Sequence, residues 1–459
     1  MAVQINYETT VQTQSNNPRY TIPLIALTSL FFMWGSITCM NDLLIPFFKK
    51  MFELTRTQSM LVQFAFFSAY FIGSLIYFIV STLKGDPIVK IGYKNGLLAG
   101  LFLSALGCFL FYPASIVESY YLFLTALMVL AFGFTLLQIA ANPYVSVLGP
   151  PEGAAGRLNL SGAFNSLGTA LAPVIGGYVI FKVFATIGAP LLNEMGQPIF
   201  TDAGLPMTIL GIQVPYIIFG IIFILLAIVL KLLPLPQIID KSQAVKGAPA
   251  LGYKHLVLGI IAIFMYVGGE VTIGSVLINF MHEMTGLPET ISKSYLAFYW
   301  GGAMIGRFLG AISLSPTMNK NKKIPLMIFA SLASFVGLWT IVYIESGQTF
   351  GFIEMWPYML FMLVNFLLFL AGSTKSHKVL LYFSLAVIVM LGLTLSATGM
   401  WAIWPVLAIG MFNSIMWPNI FTLAIKDLGP YTSQGSSLLI MAILGGALVP
   451  VAQAWVADL

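Results

Sequence analysis

Most of this chain consists of apolar runs about twenty residues long, continuous and nearly free of charge. A helix of about 20 residues crosses the roughly 30 Å hydrocarbon core of a bilayer. Within that core no water satisfies the backbone, so only helices or a closed barrel can span it. Barrel strands are about half as long and alternate apolar with polar residues. These runs do not alternate, so the chain reads as an all-α integral membrane protein. The charge content agrees: 8% of residues are Asp, Glu, Lys or Arg, against about a quarter in soluble domains. So few charges cannot clothe a water-facing surface.

The same reading excludes several classes. The net charge of +5 is not gathered into a basic, aromatic-interleaved patch, so no nucleic-acid partner is expected. Cys39 and Cys108 lie inside apolar runs, and His255, His282 and His377 are far apart. Neither set forms a disulfide framework or a metal-ligand cluster. No cofactor is expected beyond a Na⁺ ion as coupling ion. There is no phosphate-cradling Gly-Lys-Ser/Thr loop and no Ser/His/Asp set, so the chain is not read as an enzyme.

Spans are expected at 22–48, 58–82, 96–114, 119–148, 158–182, 213–236, 255–282, 291–314, 324–344, 355–373, 378–396, 400–426 and 433–457, thirteen in all. About 20 polar residues precede the first. Orientation follows from the side that collects Lys and Arg. With the N-terminus in the cytoplasm, sixteen fall inside, including Lys84, Lys90, Lys94, Lys320, Lys322 and Lys323, and five outside. The expected organisation is an N-terminal tail at 1–21, a six-helix half at 22–236, a cytoplasmic linker at 237–254 and a second half at 255–459.

Two echoes tie the halves together. Leu148-Gly149-Pro150 is followed by Gly168-Thr-Ala-Leu-Ala-Pro173, and Leu428-Gly429-Pro430 by Gly445-Gly-Ala-Leu-Val-Pro450. Phe32-Met-Trp-Gly35 on the first span is matched by Phe264-Met-Tyr-Val-Gly268 on the seventh. Parallel six-span repeats are the mark of the major facilitator architecture, with substrate bound between the halves near mid-membrane.

Ionisable groups inside lipid are costly, which makes them candidates for function. Asp42, beside Asn41 and close to Pro46, and Glu270, in Val267-Gly-Gly-Glu270, are the candidates for ion coupling. The alternatives are a hydrated acid at the interface for Asp42 and a structural hydrogen-bonding acid for Glu270. Gln138 and Asn142 are i and i+4 on one helix face. With Gln63, Asn165 and Asn413 they offer donors and acceptors without charge, which suits a polyhydroxyl substrate. They serve equally as interhelical glue. Trp300 and Trp417 are mid-span and can stack on sugar rings or simply pack. Asp86, Arg157 and Arg307 lie near cytoplasmic span ends and are candidates for gating, or plain topogenic charge.

These stretches together resemble the fucose–glucose/galactose:cation symporter family of the major facilitator superfamily. The match is carried by Asn41-Asp-Leu-Leu-Ile-Pro46, Leu137-Gln-Ile-Ala-Ala-Asn-Pro143, Arg157-Leu-Asn-Leu160, Phe164-Asn-Ser-Leu-Gly168, Tyr266-Val-Gly-Gly-Glu270, Tyr299 to Arg307 and Phe412-Asn-Ser-Ile-Met-Trp-Pro418. The resemblance implies a cation-coupled sugar symporter of a bacterial inner membrane. Its fucose carriers use an acid on the first span, matching Asp42, and a Glu on the fourth, where this chain has Gln138. A Gln position on the fifth span is Gly162 here. These departures favour the glucose/galactose branch and leave Na⁺ and H⁺ both open as coupling ion. An L-fucose or other deoxy- or amino-sugar proton symporter is the alternative, and a non-transporting sugar sensor a remote one. The family has twelve spans. The pair at about 324–373 therefore looks inserted in the second half, and the last family helix looks absent. The expected partners are a small-molecule sugar and the lipid bilayer, with the chain acting as a monomer.

Overall fold

The computed structural model describes residues 20–178, 183, 188–193, 196–200, 206–236, 246–346 and 350–457. It is a helical bundle. In chain order the long helices are α1 (Thr21–Met51), α2 (Leu61–Lys84), α3 (Tyr93–Phe109), α4 (Tyr120–Val147), α5 (Ala154–Tyr178), α6 (Leu210–Leu232), α7 (Lys254–Thr285), α8 (Glu289–Ser313), α9 (Lys320–Glu345), α10 (Trp356–Gly372), α11 (Ser376–Ser396), α12 (Met400–Asn413), α13 (Met416–Ala424), α14 (Thr432–Met441) and α15 (Gly445–Ala457).

Eleven stretches among the described residues are long and apolar enough to cross a membrane. The two other expected spans correspond to α5 and α8. Each has 25 residues, which at 1.5 Å per residue is about 37 Å, but both carry the polar groups described below. The tail up to residue 19 and linker residues 237–245 lie outside the described residues.

The internal repeat is physical. Gly149 and Gly429 both take positive φ, 116° and 55°, a conformation that costs glycine little. Each leads through a 3₁₀ turn into the next helix, α5 or α14. The two echoes then meet each other. A Cβ on Gly168 would run into the Phe32 carbonyl, and one on Gly35 into the Asn165 carbonyl, so α1 and α5 touch backbone to backbone. In the second half Gly445 lies against the Phe264 carbonyl and Gly268 against Gly445 and Val449, joining α7 to α15 in the same way. Small residues are what let helices approach this closely where lipid offers no hydrophobic drive.

Between α5 and α6, residues 188–208 include isolated antiparallel bridges, Pro190–Thr208, Leu192–Pro198 and Phe200–Pro206. Lys50 Nζ at the end of α1 donates to the Phe200 carbonyl at 3.2 Å.

Candidate functional site

A cavity of about 220 Å³ lies between the halves, lined by α1, α2, α4 and α5 on one side and α7, α8 and α13 on the other. The first half contributes Trp34, Tyr70, Gln138 and Asn165, and the second contributes Tyr266, Glu270, Arg307 and Trp417. Trp34 Nε1 donates to the Tyr70 hydroxyl at 3.1 Å. That hydroxyl also lies against the Gln138 amide. Gln138 is almost fully buried and its Oε1 has no protein partner. A buried acceptor left open costs about 1–3 kcal/mol, so this oxygen is available to a ligand hydroxyl. Asn165 spends its Nδ2 on the Phe31 carbonyl at 3.0 Å, which pins α5 to α1.

Across the cavity, the Tyr266 hydroxyl donates to Glu270 Oε1 at 2.7 Å. Tyr299 donates to the Glu270 main-chain carbonyl at 3.0 Å. Arg307 feels the Glu270 charge, yet its own hydrogen bonds go elsewhere. Nη1 donates to Ser166 Oγ at 2.6 Å and Nε to the Ser414 carbonyl at 3.1 Å. An acid and a base thus face one space, and Arg307 ties the second half to α5 of the first.

The expected residues divide. Gln138, Asn165, Glu270, Arg307 and Trp417 come together at the cavity. Asn142 is one turn away, fully buried, with neither amide atom partnered. Asn413 is buried behind Tyr299, and Gln63 on α2 is not among the cavity-lining residues. Trp300, expected against the ring of a sugar, is not among the residues lining this cavity and is 41% exposed. It packs on Gly274 of α7 and, seven residues before Arg307, lies on the same face of α8. Asn41 and Asp42 lie on α1 a turn beyond the cavity residue Thr38, and their side chains are outside the described residues. The sequence reading did not single out Trp34, Tyr70 or Tyr266. Trp34 and Tyr266 sit inside the two echoing motifs, which is the signal that points to them.

Below the cavity, toward the end carrying Lys84, Lys90, Lys94 and Lys320, the halves are in contact. Asn159 on α5 donates from Nδ2 to Asn419 Oδ1 on α13 at 3.0 Å, both fully buried. Gln434 at the start of α14 donates to Ser81 Oγ of α2 at 3.1 Å and to the Gly247 carbonyl of the linker at 2.9 Å. Asp86 is buried next to this seam. Its Oδ1 accepts from Ile88 N and Val89 N at 2.9 and 3.2 Å, capping the short helix Pro87–Ile91, and from the Tyr77 hydroxyl at 2.5 Å. Its Oδ2 has no hydrogen-bond partner at this seam. Burial pushes the Asp86 carboxyl above its ordinary range, although the Tyr77, Val89 and Ile88 hydrogen bonds oppose the shift. Arg157 bonds within its own half, to the carbonyls of Val145 at 3.0 Å, Ser146 at 2.6 Å and Pro150 at 3.0 Å, where it caps the end of α4.

Two repeated helical halves, clamped at one end around a polar cavity inside a lipid-facing bundle, make a membrane transporter of the alternating-access kind. The Major Facilitator Superfamily pattern matches residues 25–374. A glucose/galactose transporter of Brucella abortus (strain 2308) is 40% identical over 464 residues, covering 100% of this chain and 93% of its own. The L-fucose-proton symporter of Escherichia coli (strain K12) is 31% identical, covering 98% of this chain and 92% of its own. A crystal structure of a Major Facilitator Superfamily transporter, FucP, in the outward conformation superimposes with a TM-score of 0.69 at 29% identity, covering 96% of this chain and 93% of that one. The chain belongs to the Major Facilitator Superfamily, in its fucose–glucose/galactose:cation symporter family.

Proposed function

We propose that this protein imports a neutral hexose, glucose or galactose, coupled to Na⁺ or H⁺ by alternating access. The observation that carries the reading is the cavity itself. Glu270 and Arg307 face it together as an acid and a base, a pairing that suits a neutral substrate. The free Gln138 oxygen offers an acceptor to a hydroxyl, and the Trp34 and Trp417 rings offer apolar faces. The glucose/galactose names of the 40% and 36% relatives support the sugar class.

Coupling falls to Asp42 and Glu270, with Asn41 beside them. Gln138 carries no charge and cannot titrate, so a proton would have to ride on those acids, and Na⁺ would be held by acid and amide oxygens. Gates fall to Asp86, Arg157 and Arg307. The contacts at the basic end support an outward-open state with that end cytoplasmic and the N-terminus inside; the chain then works as a monomer in a bacterial inner membrane. The helices α9 and α10 are then an added pair within a two-half, twelve-span plan.

Counterflow of labelled glucose in proteoliposomes, with and without a Na⁺ gradient, tests this. Uptake is expected to be competed by galactose. Asp42→Asn is expected to keep counterflow and lose uphill accumulation. Absence of hexose and deoxyhexose uptake under either gradient refutes the reading.

A further inference from the structure

Pro418 in α13 has no N–H, so the Ser414 carbonyl four residues back loses its helical donor. Arg307 Nε takes that place at 3.1 Å. The helix breaks here, α12 ending at Asn413 and α13 beginning at Met416. One turn back, the Met411 carbonyl keeps only a long bond from Ser414 N, at 3.4 Å. A second donor reaches it from outside the pair: Asn365 Nδ2, in the middle of α10, at 3.3 Å. Asn365 is fully buried and its Oδ1 has no partner. An amide in that condition is an expense in a lipid-embedded helix unless its donor is needed.

Tyr358 is seven residues earlier, on the same face of α10. Its hydroxyl donates to the Phe298 carbonyl of α8 at 2.9 Å and fills the room left by Gly302. One face of α10 therefore grips the backbones of both α8, which carries Arg307, and the broken α12–α13, which carries Trp417. The first half has no such break: α4 runs unbroken through Pro143 from Tyr120 to Val147.

We propose that Asn365 is a positioning residue of the transport site, capping the Met411 carbonyl at the α12–α13 break and, with Tyr358, fixing how Trp417 is presented to the cavity. The added helix is then a brace for substrate binding. The part concerning substrate rests on the hexose reading above.

The test uses the full chain in proteoliposomes. Asn365→Leu is expected to raise the KM for glucose counterflow about fivefold, the worth of one net hydrogen bond of about 1 kcal/mol, with kcat within twofold. Asn365→Gln, which keeps an amide donor, is expected to recover part of the loss. Hydrogen–deuterium exchange of the segment 408–420, read without sugar, is expected to speed up in Asn365→Leu. Tyr358→Phe removes a single hydroxyl and serves if the leucine variant does not fold; it is expected to raise KM in the same direction. Unchanged exchange overturns the cap, and faster exchange with unchanged KM overturns the positioning role. A wild-type protein that moves no hexose overturns the function proposed above, and exchange at the break then still decides the cap.

Discussion

Removal of the Asn159 amide tests whether the seam below the cavity is a gate. In the structure Asn159 Nδ2 donates to Asn419 Oδ1 at 3.0 Å, and both residues have zero exposure. Asn159→Ala deletes this donor and leaves the Asn419 oxygen buried without it. The net bond is worth about 1 kcal/mol, and an orphaned buried acceptor about 1–3 kcal/mol. That cost exists only while the halves are closed here, because opening admits water to Asn419. Asn159 Oδ1 is itself buried without a partner and its removal offsets part of this cost, so the balance should shift toward the state open at the basic end by roughly fivefold or somewhat more. A reporter is available in Ser436, fully buried on α14 in the same region. With Cys39 and Cys108 replaced by serine, maleimide modification of Ser436→Cys in inside-out vesicles reads the open population. The rate should rise at least fivefold in the Asn159→Ala background. A rate within twofold of the parent would show that this amide pair does not hold the gate, and the assignment of the closed end would fall with it.

Three further outcomes follow from the geometry. Gly445→Leu should abolish monodisperse protein in size-exclusion chromatography, because its side chain would have to occupy the space of the Phe264 carbonyl; recovery at wild-type yield would refute the backbone seam. Asp86 has a carboxyl raised by burial, so the closed end binds its proton more tightly than the open end, and closure weakens as pH rises from the ordinary carboxylate range through the raised value. Asp86→Asn keeps the cap and should make Ser436→Cys labelling slower at neutral pH and flat with pH; retained pH dependence would assign it to another group. Trp300→Ala should leave the KM for hexose within twofold, and a tenfold rise would return Trp300 to the site.

Much of this was legible in the sequence because lipid narrows the choices. A continuous apolar run can only be a helix, and the Gly-Pro echoes mark the same turn twice. Glu270 and Arg307 stood out because charge is rare in such a chain. Direction around a helix was harder to read. Tyr299 and Trp300 are neighbours of similar character, yet Tyr299 is buried against Gly410 of α12, far away in sequence, and Trp300 packs on Gly274 of α7. Asn142 and Gln138 share a face, yet one lies at the cavity and the other a turn deeper, because depth is set by where the halves meet. The break at Asn413–Met416 was not read at all: Pro418 signals a kink, but the donors that make it tolerable come from α8 and α10.

The glycine seams also bear on how such a carrier can change its cargo. Where α1 meets α5 and α7 meets α15, Gly35, Gly168 and Gly445 bring backbone against backbone. Those helices cannot be re-spaced by single substitutions without losing the fold. Variation in the sugar accepted then falls to the groups that end in the cavity, such as Gln138, Gly162 and Trp417, rather than to the frame that moves them. A lineage built this way diversifies by swapping fixtures inside a fixed doorway.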